Sequence, residues 1–119
     1  MSHDALIEAL SGYVETDEHG TVSFFNNAGA VHRTDSPAVI YSDGNALWYQ
    51  NGQLHRTDGP AVIHPNGTEY WYQHGTRHRV DGPAIVFSNG VCAWFLNGEK
   101  LNEREYVQLI ESGNYLEPR

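Results

Sequence analysis

The chain repeats itself every 23 residues, and that period constrains its fold more than any other feature. HRTDSPAVI at 32–40, HRTDGPAVI at 55–63 and HRVDGPAIV at 78–86 stand in one register. Each is followed by a turn sequence: Ser42-Asp43-Gly44, Pro65-Asn66-Gly67 and Ser88-Asn89-Gly90. An aromatic pair comes next (Trp48-Tyr49, Trp71-Tyr72, Trp94-Phe95), and each unit ends on a glycine: Asn51-Gly52, His74-Gly75, Asn97-Gly98. A degenerate half unit precedes them, with Gly20, Phe24-Phe25 and Gly29 in the corresponding places. A short unit cannot bury its apolar side alone, so copies at a fixed period stack and share a core.

Each unit reads as a β-hairpin. Pro-Ala-Val-Ile is a short β-branched run, and Asp-Gly or Asn-Gly after it is a strong signal for a two-residue turn with positive φ at both central residues. Alternation places Trp48, Trp71 and Trp94 on one face, and Tyr49, Tyr72 and Phe95 on the other. The linkers between hairpins carry Arg33 and Asp35, Arg56 and Asp58, Arg79 and Asp81, read as structural turn residues. Asp58 can accept backbone N–H groups in an Asx-type turn. The planar fork of Arg56 can hold a neighbouring Asp or turn carbonyls. Ser36 occupies the place of Gly59 and Gly82, so positive φ is not required there.

The flanks differ from the repeats. Residues 4–11 have helical periodicity with acids in the first turn. At the other end Asn102 reads as an N-cap with Glu105 at the capping-box position, an apolar stripe of Tyr106, Leu109 and Ile110, and a stop by Gly113. The expected fold class is therefore mainly β: an antiparallel meander of repeated β-hairpins, about seven strands, with a short helix at each end. The expected organisation is one domain, 1–119: an acidic helix and lead-in over 1–18, hairpin repeats over 19–98, and a helical cap over 99–119.

The net charge of −8 is unevenly placed. Asp4, Glu8, Glu15, Asp17 and Glu18 lie in the first 18 residues without a Lys or Arg, whereas the repeats hold five acids against four arginines. Direct nucleic-acid binding draws on a basic patch that displaces counterions from phosphate, and none is visible. No apolar run approaches the ~18 residues that span a bilayer, and the first twenty residues show no signal-peptide pattern. The expected compartment is the cytoplasm, with no membrane contact.

Candidate chemistry is sparse. His32, His55 and His78 recur with Arg and Asp at every copy, which marks a structural turn rather than a single converging site. His64, His74 and His78 form the one zinc grouping worth weighing, short of a usual ligand set. Cys92 stands where the other copies hold Ala46 and Glu69, and reads as a packing residue. No catalytic residues, cofactor or metal are expected. Positions that vary among copies, such as Tyr41/His64/Phe87 and Ala46/Glu69/Cys92, are the expected surface.

The pattern HRxDGPA…NG…WY…NG over 27–101 resembles MORN-type repeat variants. More narrowly, it resembles the HRxDGPA repeat proteins of bacteriophage and bacterial open reading frames. MORN repeats are shorter, with a Tyr-x-Gly-x-Trp pattern, so the resemblance implies hairpin repeats used as scaffolds and binding modules, without shared catalytic residues. The expectation is a non-catalytic protein-binding module: a phage-encoded acidic inhibitor of a host defence or nucleic-acid-handling protein, anti-CRISPR-like. Its expected partner is a protein with a basic surface. The candidate contact residues are Glu15, Asp17, Glu18, Tyr41, Glu69, Tyr70 and Tyr72. The alternatives are a small-molecule or nucleotide sponge and a virion assembly component that oligomerises through sheet edges.

Overall fold

The computed structural model describes residues 12–115. The helix expected over 4–11 lies outside them. Thirteen short strands and one helix follow in chain order: β1 (Tyr13–Thr16), β2 (Val22–Phe25), β3 (Val39–Ile40), β4 (Ala46–Leu47), β5 (Tyr49–Gln50), β6 (Gln53–Leu54), β7 (Val62–Ile63), β8 (Glu69–Tyr70), β9 (Tyr72–Gln73), β10 (Thr76–Arg77), β11 (Ile85–Val86), β12 (Cys92–Leu96), β13 (Glu99–Leu101) and α1 (Glu103–Ser112). Nine of the strands form one sheet in the order β1-β2-β3-β4-β7-β8-β11-β12-β13, while β5-β6 and β9-β10 are separate pairs. Every pairing is antiparallel, as the hairpin reading requires. The body is elongated, 54 × 31 × 18 Å with a radius of gyration of 16.6 Å, against about 13 Å for a compact domain near this length.

The strands outnumber the expected seven because each unit contains two hairpins, not one. The division falls at the tryptophan. The Trp48 N–H donates to the Ala61 carbonyl of the next unit, while the Trp48 carbonyl accepts from the N–H of His55, the residue that follows β6. Trp71 repeats this with Ala84 and His78. The strand thus changes ladders at the indole, and the chain continues into β5–β6 or β9–β10.

The two hairpins use different turns, opposite to the sequence expectation for the first. Ser42-Asp43-Gly44 and its equivalents are three-residue loops in which only the glycine has positive φ (96°, 93° and 88° at Gly44, Gly67 and Gly90). This is the type I turn plus bulge arrangement, closed by the Gly44 N–H to the Tyr41 carbonyl at 3.0 Å. Asp43, Asn66 and Asn89 accept the N–H two residues on, at 3.0, 2.9 and 3.0 Å. The two-residue turns with both central residues at positive φ are the unit ends: Asn51 and Gly52 (50°, 80°), His74 and Gly75 (50°, 77°), Asn97 and Gly98 (51°, 82°).

Packing follows the alternation. One face, the tryptophan face, carries Phe24, Trp48, Trp71 and Trp94 with Ala38, Ala61 and Ala84 between them, the three alanines 0 % exposed. The same small residue, fully buried, thus fills this place in every copy. The other, the tyrosine face, buries Val39, Val62, Ile85 and Phe95. At the C-terminal end α1 begins where the next linker is due. Asn102 accepts from the Glu105 N–H and Glu105 reaches back to the Asn102 N–H, a complete capping box, and Gly113 ends the helix at φ 72°. Tyr106 is buried, and its hydroxyl donates to the Arg79 carbonyl (2.8 Å) and accepts from the Gly82 N–H (3.1 Å). The helix is thereby bound to the last linker of the array.

Candidate functional site

The recurring His-Arg-x-Asp set is accounted for by structure at each copy. Arg56 Nε donates to Asp58 at 3.0 Å, its Nη1 donates to the Pro60 carbonyl at 3.2 Å, and its guanidinium lies 3.8 Å over the Trp48 ring. Arg79 does the same with Asp81, Pro83 and Trp71 at 2.8, 3.1 and 3.7 Å. Asp58 and Asp81 therefore hold arginines; the Asx turn expected for Asp58 does not form. An ideal Cβ on Gly59 would lie 2.6 Å from Arg56 Cζ, so glycine is kept there for space, and its φ is not positive. In the first copy Ser36 carries that Cβ, and the Arg33–Asp35 contact is correspondingly loose at 4.0 Å, with Arg33 over Phe24.

The histidines form a second ladder. Nδ1 of His32, His55 and His78 accepts the N–H of Asn51, His74 and Asn97 at 3.0, 2.9 and 3.0 Å. Each imidazole thus satisfies the first residue of the two-residue turn that ends its own unit. Burial first, and electrostatic repulsion from the adjoining His74 second, push the His55 pKa below its ordinary value. The weighed zinc grouping is not assembled. The His64 ring meets Asn45 and stands edge-on to Tyr70, while the His74 ring rests on His55. Among the described residues no three His, Cys, Asp or Glu side chains gather as a metal site. Cys92 is half-buried, its thiol donating to the Gly90 carbonyl at 3.4 Å.

The seven candidate contact residues do not form one surface. Glu15 lies on β1, whose four residues are all exposed. Asp17 caps the turn after it: hydrogen bonds from the Thr21 and His19 N–H groups hold its carboxyl below the usual range. Glu18 pairs with His19 at 3.4 Å in full solvent. Tyr41, Tyr70 and Tyr72 share the tyrosine face, with Tyr41 42 % exposed. Tyr70 stands edge-on to both His64 and Phe87. Glu69 is paired with Ile63 and Val86 on the opposite face, apart from the tyrosines.

Two cations missed in the sequence reading join the tyrosine face. Arg77 on β10 donates from Nε to the Tyr72 hydroxyl at 3.1 Å. Its guanidinium lies 5.4, 5.9 and 6.0 Å from the centroids of Phe95, Tyr72 and Tyr70. Lys100 on β13 pairs with Phe95. In repeat register both stand where earlier copies have Val31 and Leu54, and that departure was the available signal. Among the described residues no helix is long and apolar enough to cross a membrane. No protein-family model matches the chain, and neither a curated protein nor a solved structure matches it.

Proposed function

We propose that the protein is a non-catalytic protein-binding module that docks its acidic N-terminal sheet edge onto a basic surface of another protein. The observation that carries this reading is β1. It is an edge strand of the nine-stranded sheet, with Tyr13 and Val14 48 % and 54 % exposed and Glu15, Asp17 and Glu18 alongside. The Asp17 N–H bonds to Thr21, so antiparallel alternation directs the backbone groups of Val14 and Thr16 outward. An extended partner segment adds to such an edge through main-chain hydrogen bonds, and acids beside it select basic side chains. At the opposite end α1 packs against β12 and β13, so the two ends are not equivalent. The finer reading, a phage-encoded inhibitor of a bacterial defence or nucleic-acid-handling protein, rests on the resemblance of the repeats and on the acidic charge.

The test is affinity capture from a bacterial lysate with the intact protein and with the triple variant Glu15→Gln/Asp17→Asn/Glu18→Gln, read by mass spectrometry. Asparagine at 17 keeps an oxygen for the turn N–H groups. The expected result is a basic protein held by the parent and lost by the variant, with an association rate that falls as salt rises. Equal capture by both proteins refutes the docking edge.

A further inference from the structure

The repeats contain four arginines, and three of them, Arg33, Arg56 and Arg79, face an aspartate. Arg77 does not. Among the described residues neither Arg77 nor Lys100 lies within ion-pair distance of a carboxylate. Among the described residues Arg104 on α1 also lies outside ion-pair distance of a carboxylate, but Arg77 and Lys100 are the two such cations that share one face, in a chain of net charge −8.

Their placement is specific. The Gly98 N–H donates to the Arg77 carbonyl at 2.8 Å, which sets β10 beside the β12–β13 hairpin. Lys100 pairs directly with Phe95, and the Arg77 guanidinium lies 5.4 Å from the Phe95 ring. The two cations therefore stand on the same face, on either side of Phe95. Neighbouring strands are about 4.8 Å apart, so the two Cα atoms are separated by roughly 10 Å, a gap that two long side chains close on a single ion. Arg77 is held by the Tyr72 hydroxyl through Nε alone. Its Nη1 and Nη2 donors remain available, in the fork geometry that matches an oxyanion. The competing account is that both stems merely cover the Phe95 ring. Val31 and Leu54 hold the equivalent places in the other copies, so covering the ring does not call for a cation.

We propose that Arg77 and Lys100, flanking Phe95, bind a dianionic phosphoryl group, with Arg77 as the oriented fork and Lys100 as the second charge. This site is on the tyrosine face and is independent of the docking edge at β1.

The experiment is an NMR titration of the full-length, ¹⁵N-labelled protein at constant ionic strength with inorganic phosphate, adenosine monophosphate and acetate. The Arg77 Nε–H and the Phe95 and Leu96 amides are the reporters. The expected result is a saturable shift with phosphate, and weakening of about tenfold or more in Arg77→Leu and in Lys100→Gln. Arg77→Leu installs the residue already present at Leu54, so the fold is kept, and unchanged amide spectra elsewhere verify it. Tighter binding of the nucleotide than of inorganic phosphate assigns the phosphoryl group to a nucleotide; equal binding assigns it to free phosphate. The proposal is overturned if no shift saturates, if Arg77→Leu binds as the parent does, or if acetate binds as tightly as phosphate.

Discussion

Among the ladder histidines, His55 links stability to pH. Its Nδ1 accepts the His74 N–H at 2.9 Å, and the residue is 8 % exposed. Only the form with Nδ1 unprotonated can accept. A proton on that nitrogen faces an N–H, and the bond is lost. The folded-state pKa is depressed, by burial first and by His74 second. The sign follows from linkage: where the unfolded chain binds more protons than the folded one, stability falls as pH falls. The contribution of His55 is therefore complete above the unfolded value near 6.5 and is lost as pH drops through it, levelling below the folded value. Replacing His55 by Ala leaves the His74 N–H without its acceptor and opens space, at a cost of about 1–3 kcal/mol. With a urea slope of about 1–3 kcal/mol/M, the midpoint moves down by roughly 1 M. His55→Asn places an oxygen where Nδ1 was, so it retains the acceptor without titrating. Urea unfolding followed by tryptophan fluorescence, from pH 7.5 to 5.0, distinguishes the three proteins. The parent weakens on acidification; His55→Asn loses part of that slope and starts near the parent, whereas His55→Ala starts lower. A slope unchanged in His55→Asn refutes the reasoning.

Three further outcomes follow from contacts described above. Tyr106→Phe removes the hydroxyl that bridges Arg79 and Gly82, and at about 1–2 kcal/mol for two hydrogen bonds the thermal midpoint falls by several degrees in calorimetry. Asp58→Ala and Asp81→Ala remove carboxylates that are 80 % and 73 % exposed, so each costs less than about 1 kcal/mol in urea unfolding, and less still in high salt. Gly59→Ala crowds the Arg56 guanidinium and loosens its contact with Asp58 to the geometry of the Ser36 copy, where the arginine still lies over its ring, costing up to about 1 kcal/mol in urea unfolding, with a shifted Arg56 Nε–H resonance as the direct readout.

Much of the fold was legible because the repeat reports the same constraint three times. The capping box of Asn102 and Glu105, the stop at Gly113, the opposite faces of Trp48 and Tyr49, and the carbonyl-seeking fork of Arg56 are all local chemistry that a sequence displays. Turn type was not legible. Asp43-Gly44 and Asn51-Gly52 look alike as dipeptides, and only the register of the flanking strands decides whether a residue is left over to form a bulge. The split at each tryptophan was hidden for a similar reason, since a change of ladder partner leaves the alternation intact. Asp58 was assigned to backbone N–H groups because its nearer partner, Arg56, is set by the indole of the preceding unit. The candidate contact set mixed Glu69 with Tyr70 and Tyr72, though adjacent strand residues point to opposite faces. Arg77 and Lys100 were hidden in the repeat because their shared register position is apolar in the earlier copies, Val31 and Leu54, so no motif marks it.

The hydrogen bonds between successive two-residue turns all span the same distance in sequence. Gly52 donates to Val31, Gly75 to Leu54 and Gly98 to Arg77, at 2.8 Å in each case. The histidines likewise reach only the next turn. Nothing in these contacts measures total length. Tandem duplication or loss of one 23-residue segment joins an equivalent donor to an equivalent acceptor, so copy number is free to drift by recombination while both ends keep their neighbours. Surfaces at opposite ends, such as β1 and the Phe95 region, are then spaced in fixed increments, and a change in gene length translates directly into a change in reach.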